Sequence, residues 1–233
     1  IAILFFFFFS AIILSFAGYN PFEAFGALFN GIFAKPKYIS NVIIKATPII
    51  LTGLSVAFAF KTGLFNIGAE GQYIAGTIAA VCVGAKLNLA PIIQVPIVVL
   101  SGVLAGAIFG IIIGYLKAKF GIHEVITSIM LNWIALYLSN FVLNTTAYHL
   151  PDSTSSYPVN ESSYTMLLPK WKTSDAGMAA LKPTKWLYEV MLKTDINFGI
   201  LIAVILAIVV WVLLYRSTKG YELRSVGFNR DAA

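Results

Sequence analysis

Apolar residues run almost without break along this chain, gathered into six stretches that short polar clusters separate. They fall at about 1–16, 41–60, 65–85, 96–116, 125–143 and 198–215. Most approach the roughly 20 residues that carry a helix across a bilayer. Within lipid every backbone N–H and C=O must be bonded internally, so such runs fold as helices rather than isolated strands. The pattern predicts an all-α, polytopic helical transmembrane protein with about six membrane segments. Between the first two stretches, residues 22–33 read as an amphipathic helix lying at the interface. The start at Ile1 reads as a trimmed first helix, and the end at Ala233 as a C-terminal truncation.

Composition agrees with the pattern. Hydrophobic residues make up 59% of the chain and charged residues 11%, too little polar surface for a soluble domain. The net charge of +6 forms no basic arm or stripe, so no nucleic-acid partner is expected; it reflects topology and anionic membrane lipid. Arg216, Arg224 and Arg230 cluster at the C-terminus, with Lys117 and Lys119 at an earlier span end. Placing these in the cytoplasm puts the N-terminus there too and makes 145–197 an extracytoplasmic loop. That loop mixes Trp171, Trp186 and Tyr188 with five lysines, in the manner of an interfacial belt. A docking surface for an extracytoplasmic partner is the other reading. His149 and His123 lie far apart and Cys82 sits alone in an apolar run, so neither a metal site nor a catalytic constellation is expected.

Three polar or small-residue seams interrupt the apolar runs. Gly102, Gly106, Gly110 and Gly114 recur every four residues along one ridge of the fourth span, a packing device for a neighbouring helix or a second subunit. Asn41, Lys45, Pro48, Thr52 and Ser55 share a face of the second span, where Pro48 loosens the backbone ladder. Glu124, Thr127, Ser128 and Asn132 share a face of the fifth. Between second and third spans comes KTGLFNIGAEGQYIAG, residues 61–76, where Gly63 and Gly68 break the helical pattern beside Asn66 and Glu70. Either a short unwound segment and a half-helix face a cavity, as in transporters, or a wet cytoplasmic turn joins two ordinary spans.

Three separated motifs add a resemblance that covers nearly the whole chain: ATPIILTGLSVAFAFKTGLFNIGAEGQ, then GIHEVITSIMLNWIALYL, then TKGYELRSVGFNRDAA. Together they resemble the permease subunits of ABC importers in the branched-chain amino acid and ribose permease superfamily. The nearest branch is the simple-sugar and nucleoside permeases that depend on basic-membrane-protein-type lipoproteins. The resemblance implies a single transmembrane permease domain over 1–233 that lacks its last third, in a bacterial cell membrane. It implies a heteromer with an ABC ATPase, an extracytoplasmic substrate-binding lipoprotein and a second permease subunit. ATP and Mg²⁺ would belong to the ATPase, with no cofactor or metal in this chain. Consistently, the sequence has no G-x-x-x-x-G-K-[ST] phosphate loop, and no enzymatic role is expected of it.

The resemblance also implies roles for residues. Residues 216–233 would begin the cytoplasmic coupling loop, with Gly220, Arg224, Gly227, Asn229, Ala232 and Ala233 matching the pattern that engages the ATPase. Asn66, Glu70, Gln72, Asn132 and Thr52 would line the substrate pathway or hold its gate. The expected cargo is a nucleoside or a related simple sugar. Ribose or a branched-chain amino acid by the same mechanism is the near alternative. An ion-coupled secondary transporter of a small polar solute is the distant one, because it leaves the coupling segment unexplained.

Overall fold

The computed structural model describes residues 1–153 and 155–228. Eleven α-helices occupy them, with a short 3-10 turn at Glu161–Ser163, and the only β pairing among them is two isolated bridges. The helices are α1 (Ala2–Phe16), α2 (Pro21–Phe33), α3 (Pro36–Lys61), α4 (Ala69–Lys86), α5 (Pro91–Phe120), α6 (Glu124–Leu143), α7 (Pro169–Lys172), α8 (Asp175–Leu181), α9 (Lys185–Lys193), α10 (Gly199–Arg216) and α11 (Thr218–Phe228). Each of the six expected spans is a helix. Four of them, α3, α5, α6 and α10, are long and apolar enough to cross a membrane. The first is a shorter apolar helix of 15 residues, and the third starts at Ala69 rather than near residue 65. The protein is an all-α, multi-pass membrane protein.

The chain forms two compact units. The first holds residues 1–46 and 166–197. Here α1 meets α2 through Phe7, which stands edge-on to Phe25 at 5.1 Å and stacks with Phe29 at 6.4 Å. Asn20 starts α2 by accepting the Phe22 N–H, with Pro21 at the first position. The stretch 145–197, expected as one external loop, divides between the units. Residues 166–197 coil into α7, α8 and α9, closed at the base where Leu167 N–H donates to Ile196 C=O. The Lys172 side chain is buried beneath them, donating to the Thr194 carbonyl.

The second unit comprises residues 47–165 and 198–233. Its centre is α4 lying along α5, with α6 packed on α4. The approach is close because Gly76 and Gly102 oppose one another: a methyl on Gly76 would stand 3.0 Å from the Gly102 carbonyl oxygen. At the far end of α4, residues 160–163 return to it. Asn160 Nδ2 donates to the carbonyls of Ala85 and Leu87, and fully buried Gln94 donates to Leu87 C=O and Ser163 Oγ. These contacts satisfy C-terminal carbonyls that helix geometry leaves open. Gly121, at φ +66°, ends α5 in the left-handed cap, and His123 begins α6 by accepting the Val125 N–H. At the other end of the chain, α10 turns into α11 at Ser217, and Gly220 in the first turn of α11 packs so closely on Leu213 and Leu214 that a β-carbon there would collide with the Leu213 carbonyl.

Candidate functional site

Between the end of α3 and the start of α4 the chain leaves the helix, over residues 62–68. Gly63 makes the turn at φ +76°, a conformation that side chains with a β-carbon rarely adopt. The helix then restarts at Ala69 after Gly68, which offers no side-chain cap. Other side chains hold the restart. Asn66 Oδ1 accepts the Gly68 N–H at 2.9 Å. From α6, Asn132 Oδ1 accepts the Gly71 N–H at 2.9 Å while its Nδ2 donates to Ile67 C=O at 3.2 Å. Asn132 therefore serves α4 as an N-cap supplied from another helix.

Beside this restart a cleft of about 760 Å³ opens among the C-terminal half of α3, residues 64–66, α4 and α5, with the start of α6 at one end. Most of its lining is apolar. Thr52, Ser55, Asn66 and Gln72 bring polar groups to it, and Glu124 closes the end. Asn66 ties them together, with Nδ2 3.5 Å from Ser55 Oγ and 3.4 Å from Gln72 Oε1. Thr52 turns its hydroxyl to the Pro48 carbonyl at 2.9 Å. No lysine, arginine or histidine is among the described lining residues.

Of the five residues expected along the pathway, Thr52, Asn66 and Gln72 line the cleft. Asn132 stands behind it, holding the backbone of the restart, and Glu70 is exposed and outside the lining. The glycine ridge divides its work. Gly102 and Gly106 both approach the α4 backbone closely, and Gly106 also lines the cleft with Gly110 and Gly114. A β-carbon on Gly110 would sit 3.4 Å from the Gln72 amide nitrogen, so the ridge leaves the groove in which that side chain lies. Spacing alone gave the ridge as a packing device; its contribution to a cavity needed the position of Gln72.

Glu124 was legible only as part of a polar seam. It is buried, and Oε2 lies 2.7 Å from Lys117 Nζ, across the turn made by Gly121. The two groups form a salt bridge. The available signal was a lysine in the last turn of one helix, a glycine stop, and an acid in the first turn of the next. Ser128, fully buried next to Gly68, has no hydrogen-bond partner for its hydroxyl among the described residues.

Of the expected coupling residues, Gly220 packs in the first turn of α11 against Leu213 and Leu214 of α10, and Arg224 places its guanidinium 5.0 Å from the Tyr215 ring centroid. Gly227 abuts the backbone at Gly63. Asn229, Ala232 and Ala233 lie outside the described residues.

Asn132→Ala is expected to leave the Gly71 N–H and the Ile67 C=O unpaired, at a cost of about 1–3 kcal/mol. Thermal unfolding of the purified full-length protein measures this. Asn132→Asp, which keeps the acceptor, should recover part of it. An unchanged midpoint for Asn132→Ala would show that α6 does not hold the restart.

Comparison with known proteins identifies the fold's relatives. Residues 38–233 match the family described as branched-chain amino acid transport system, permease component. A guanosine ABC transporter permease protein of Bacillus subtilis is 38% identical over 96% of this chain and 59% of its own length. A nucleoside ABC transporter permease protein of Lactococcus lactis is 34% identical over 100% of this chain and 61% of its own. A glucose ABC transporter permease protein of Haloferax volcanii is 31% identical over 92% of this chain and 53% of its own. The chain thus spans between 53% and 61% of the length of these relatives. No solved structure matches it.

Proposed function

This chain belongs to the family of branched-chain amino acid transport system permease components, and on that premise we propose that it is a transmembrane permease subunit of an ATP-driven importer of nucleosides or related simple sugars. It is a transport subunit in a bacterial cell membrane. A separate ABC ATPase binds ATP and Mg²⁺ and hydrolyses the nucleotide, an extracytoplasmic lipoprotein delivers the cargo, and a second permease subunit completes the channel. Residues 1–233 are one permease domain, with 145–197 outside the cell and 216–233 opening the cytoplasmic coupling loop. Gly220, Arg224, Gly227, Asn229, Ala232 and Ala233 engage the ATPase there.

The observation that carries the cargo assignment is the lining of the cleft. Amide and hydroxyl groups from Asn66, Gln72, Thr52 and Ser55 stand on an apolar wall, and no cationic side chain is among the described lining residues. That set suits a neutral solute with hydroxyls and apolar ring faces. A branched-chain amino acid would bring a carboxylate with no cation to meet it, which counts against that cargo. Weak contacts suffice, because a pathway that held its cargo tightly would not release it. Asn132 keeps the gate's backbone in place. The glucose permease relative favours a simple sugar as the second reading.

Uptake by cells carrying the full-length permease, its ATPase and its lipoprotein tests this with labelled nucleosides, ribose and leucine. Nucleoside uptake that disappears with a catalytically dead ATPase is expected. Uptake that survives the dead ATPase but collapses with an ionophore would replace the mechanism with ion coupling. Ribose uptake alone would keep the mechanism and change the cargo. Within the same assay, Glu70→Gln separates a pathway role from an exposed structural one. Given its position outside the lining, uptake within about twofold of the parent is expected. A large loss with normal assembly would return Glu70 to the pathway.

A further inference from the structure

The first compact unit holds a second cavity, of about 640 Å³, which the cargo pathway does not use. Its lining brings together Lys35 and Pro36 at the start of α3 with Thr184, Lys185, Trp186 and Glu189 at the start of α9. These two stretches are separated by most of the chain. Lys35 and Lys185 are both exposed, and neither forms an ion pair among the described residues. Glu189 lines the same cavity and forms none either. The surrounding unit is basic, with eight lysines against Glu23, Asp175, Glu189 and Asp195.

Depth decides what fills such a site. Lys35 immediately precedes a 26-residue membrane helix, so the cavity stands at the level where a span leaves the hydrocarbon. Trp186, 58% exposed at its rim, is the residue type that settles at that level. Lipid phosphates occupy the same layer at high local concentration, whereas a protein carboxylate would have to be brought there by a partner. Two unpaired ammonium groups beside an amphipathic ring match a phosphate and the glycerol backbone next to it. Glu189 can accept hydrogen bonds from headgroup hydroxyls.

We propose that Lys35, Lys185, Trp186 and Glu189 form a binding site for the headgroup of an anionic phospholipid of the phosphatidylglycerol type. The site rests on the membrane placement of α3 and is independent of the cargo. It joins the start of α3 to the start of α9, so a bound headgroup clamps two distant stretches of the chain together.

Native mass spectrometry of the complete importer, purified from equal mixtures of phosphatidylglycerol and phosphatidylcholine with matched acyl chains, provides the test. The two ammonium groups predict a roughly thirtyfold preference for phosphatidylglycerol at this site. Lys35→Gln with Lys185→Gln should lose about one phosphatidylglycerol per permease chain and no phosphatidylcholine. Lys35→Arg with Lys185→Arg should keep it. Equal phosphatidylglycerol retention in the parent and the glutamine variant overturns the proposal. If the glutamine variant does not assemble, a photoreactive benzophenone side chain in place of Trp186 carries the same test in an otherwise unaltered importer. Adducts with phosphatidylglycerol in excess over phosphatidylcholine support the site. Equal labelling of the two lipids, or adducts mainly with the binding lipoprotein, overturns it and in the second case gives the cavity to a protein surface. Displacement of the lipid by glycerol phosphate would show that the headgroup, and not the acyl chains, is what the site holds.

Discussion

Replacing Lys117 with methionine is expected to destabilise the assembled permease by about 2–3 kcal/mol and to reduce uptake with it. The estimate lies between two limits. Removing one partner of a fully buried ion pair costs about 3–5 kcal/mol, because the other charge is stranded, whereas an exposed pair contributes about 0–1 kcal/mol. Here the acid is the buried partner, at 9% side-chain exposure, and the lysine is partly wet, at 36%. That asymmetry gives the prediction its sign. Lys117→Met strands a buried carboxylate at the end of the cleft. Glu124→Gln strands only a lysine that water can reach, and should cost distinctly less. The double variant should recover much of the loss, because the glutamine leaves no charge to strand. Denaturation midpoints of the four proteins, with uptake measured on each, form the cycle that isolates the pair. Equal costs for the two single changes, or no recovery in the double, would show that Glu124 is solvated by another route.

The helices were legible because long apolar runs leave a chain in lipid few alternatives, and their positions in the structure differ from the sequence reading mainly at the ends. The break at residues 62–68 was also legible, since Gly63 and Gly68 sit where the apolar pattern fails. What could not be read was which side chain serves which backbone. Asn132 lies 61 positions from Gly71, and only the packing of α6 on α4 brings its amide to that N–H. Glu70 attracted attention as an acid near a membrane segment, yet the acid that reaches the cleft is Glu124. The two differ in where their helices turn them, which composition does not record. The same limit applied to 145–197. Its length argued against a plain connection, but its mixed polarity gave no period from which to assign α7, α8 and α9 or to divide it between two units.

Gly227→Ala is expected to destabilise the protein, although helix propensity predicts the opposite. Within a helix, alanine is favoured over glycine by up to about 1 kcal/mol. Gly227 lies in α11, so an isolated helix would gain from the change. In the folded unit, however, its β-carbon would stand 2.8 Å from both the Gly63 nitrogen and the Thr62 carbonyl carbon. Those are backbone atoms, which cannot rotate aside as a side chain would. The reciprocal change should be worse. Gly63→Ala places a β-carbon 2.6 Å from the Gly227 Cα and also forces a β-carbon onto a residue at φ +76°. The backbone conformation alone costs about 1–2 kcal/mol before any clash. Both changes push on the segment that carries Asn66 into the cleft three residues later, so uptake should fall with stability, and further for Gly63→Ala than for Gly227→Ala. Unfolding midpoints decide between contact and propensity by sign alone. A more stable Gly227→Ala protein would mean that α11 and the turn at Gly63 do not meet, and that the cleft segment is positioned without help from the C-terminal helix.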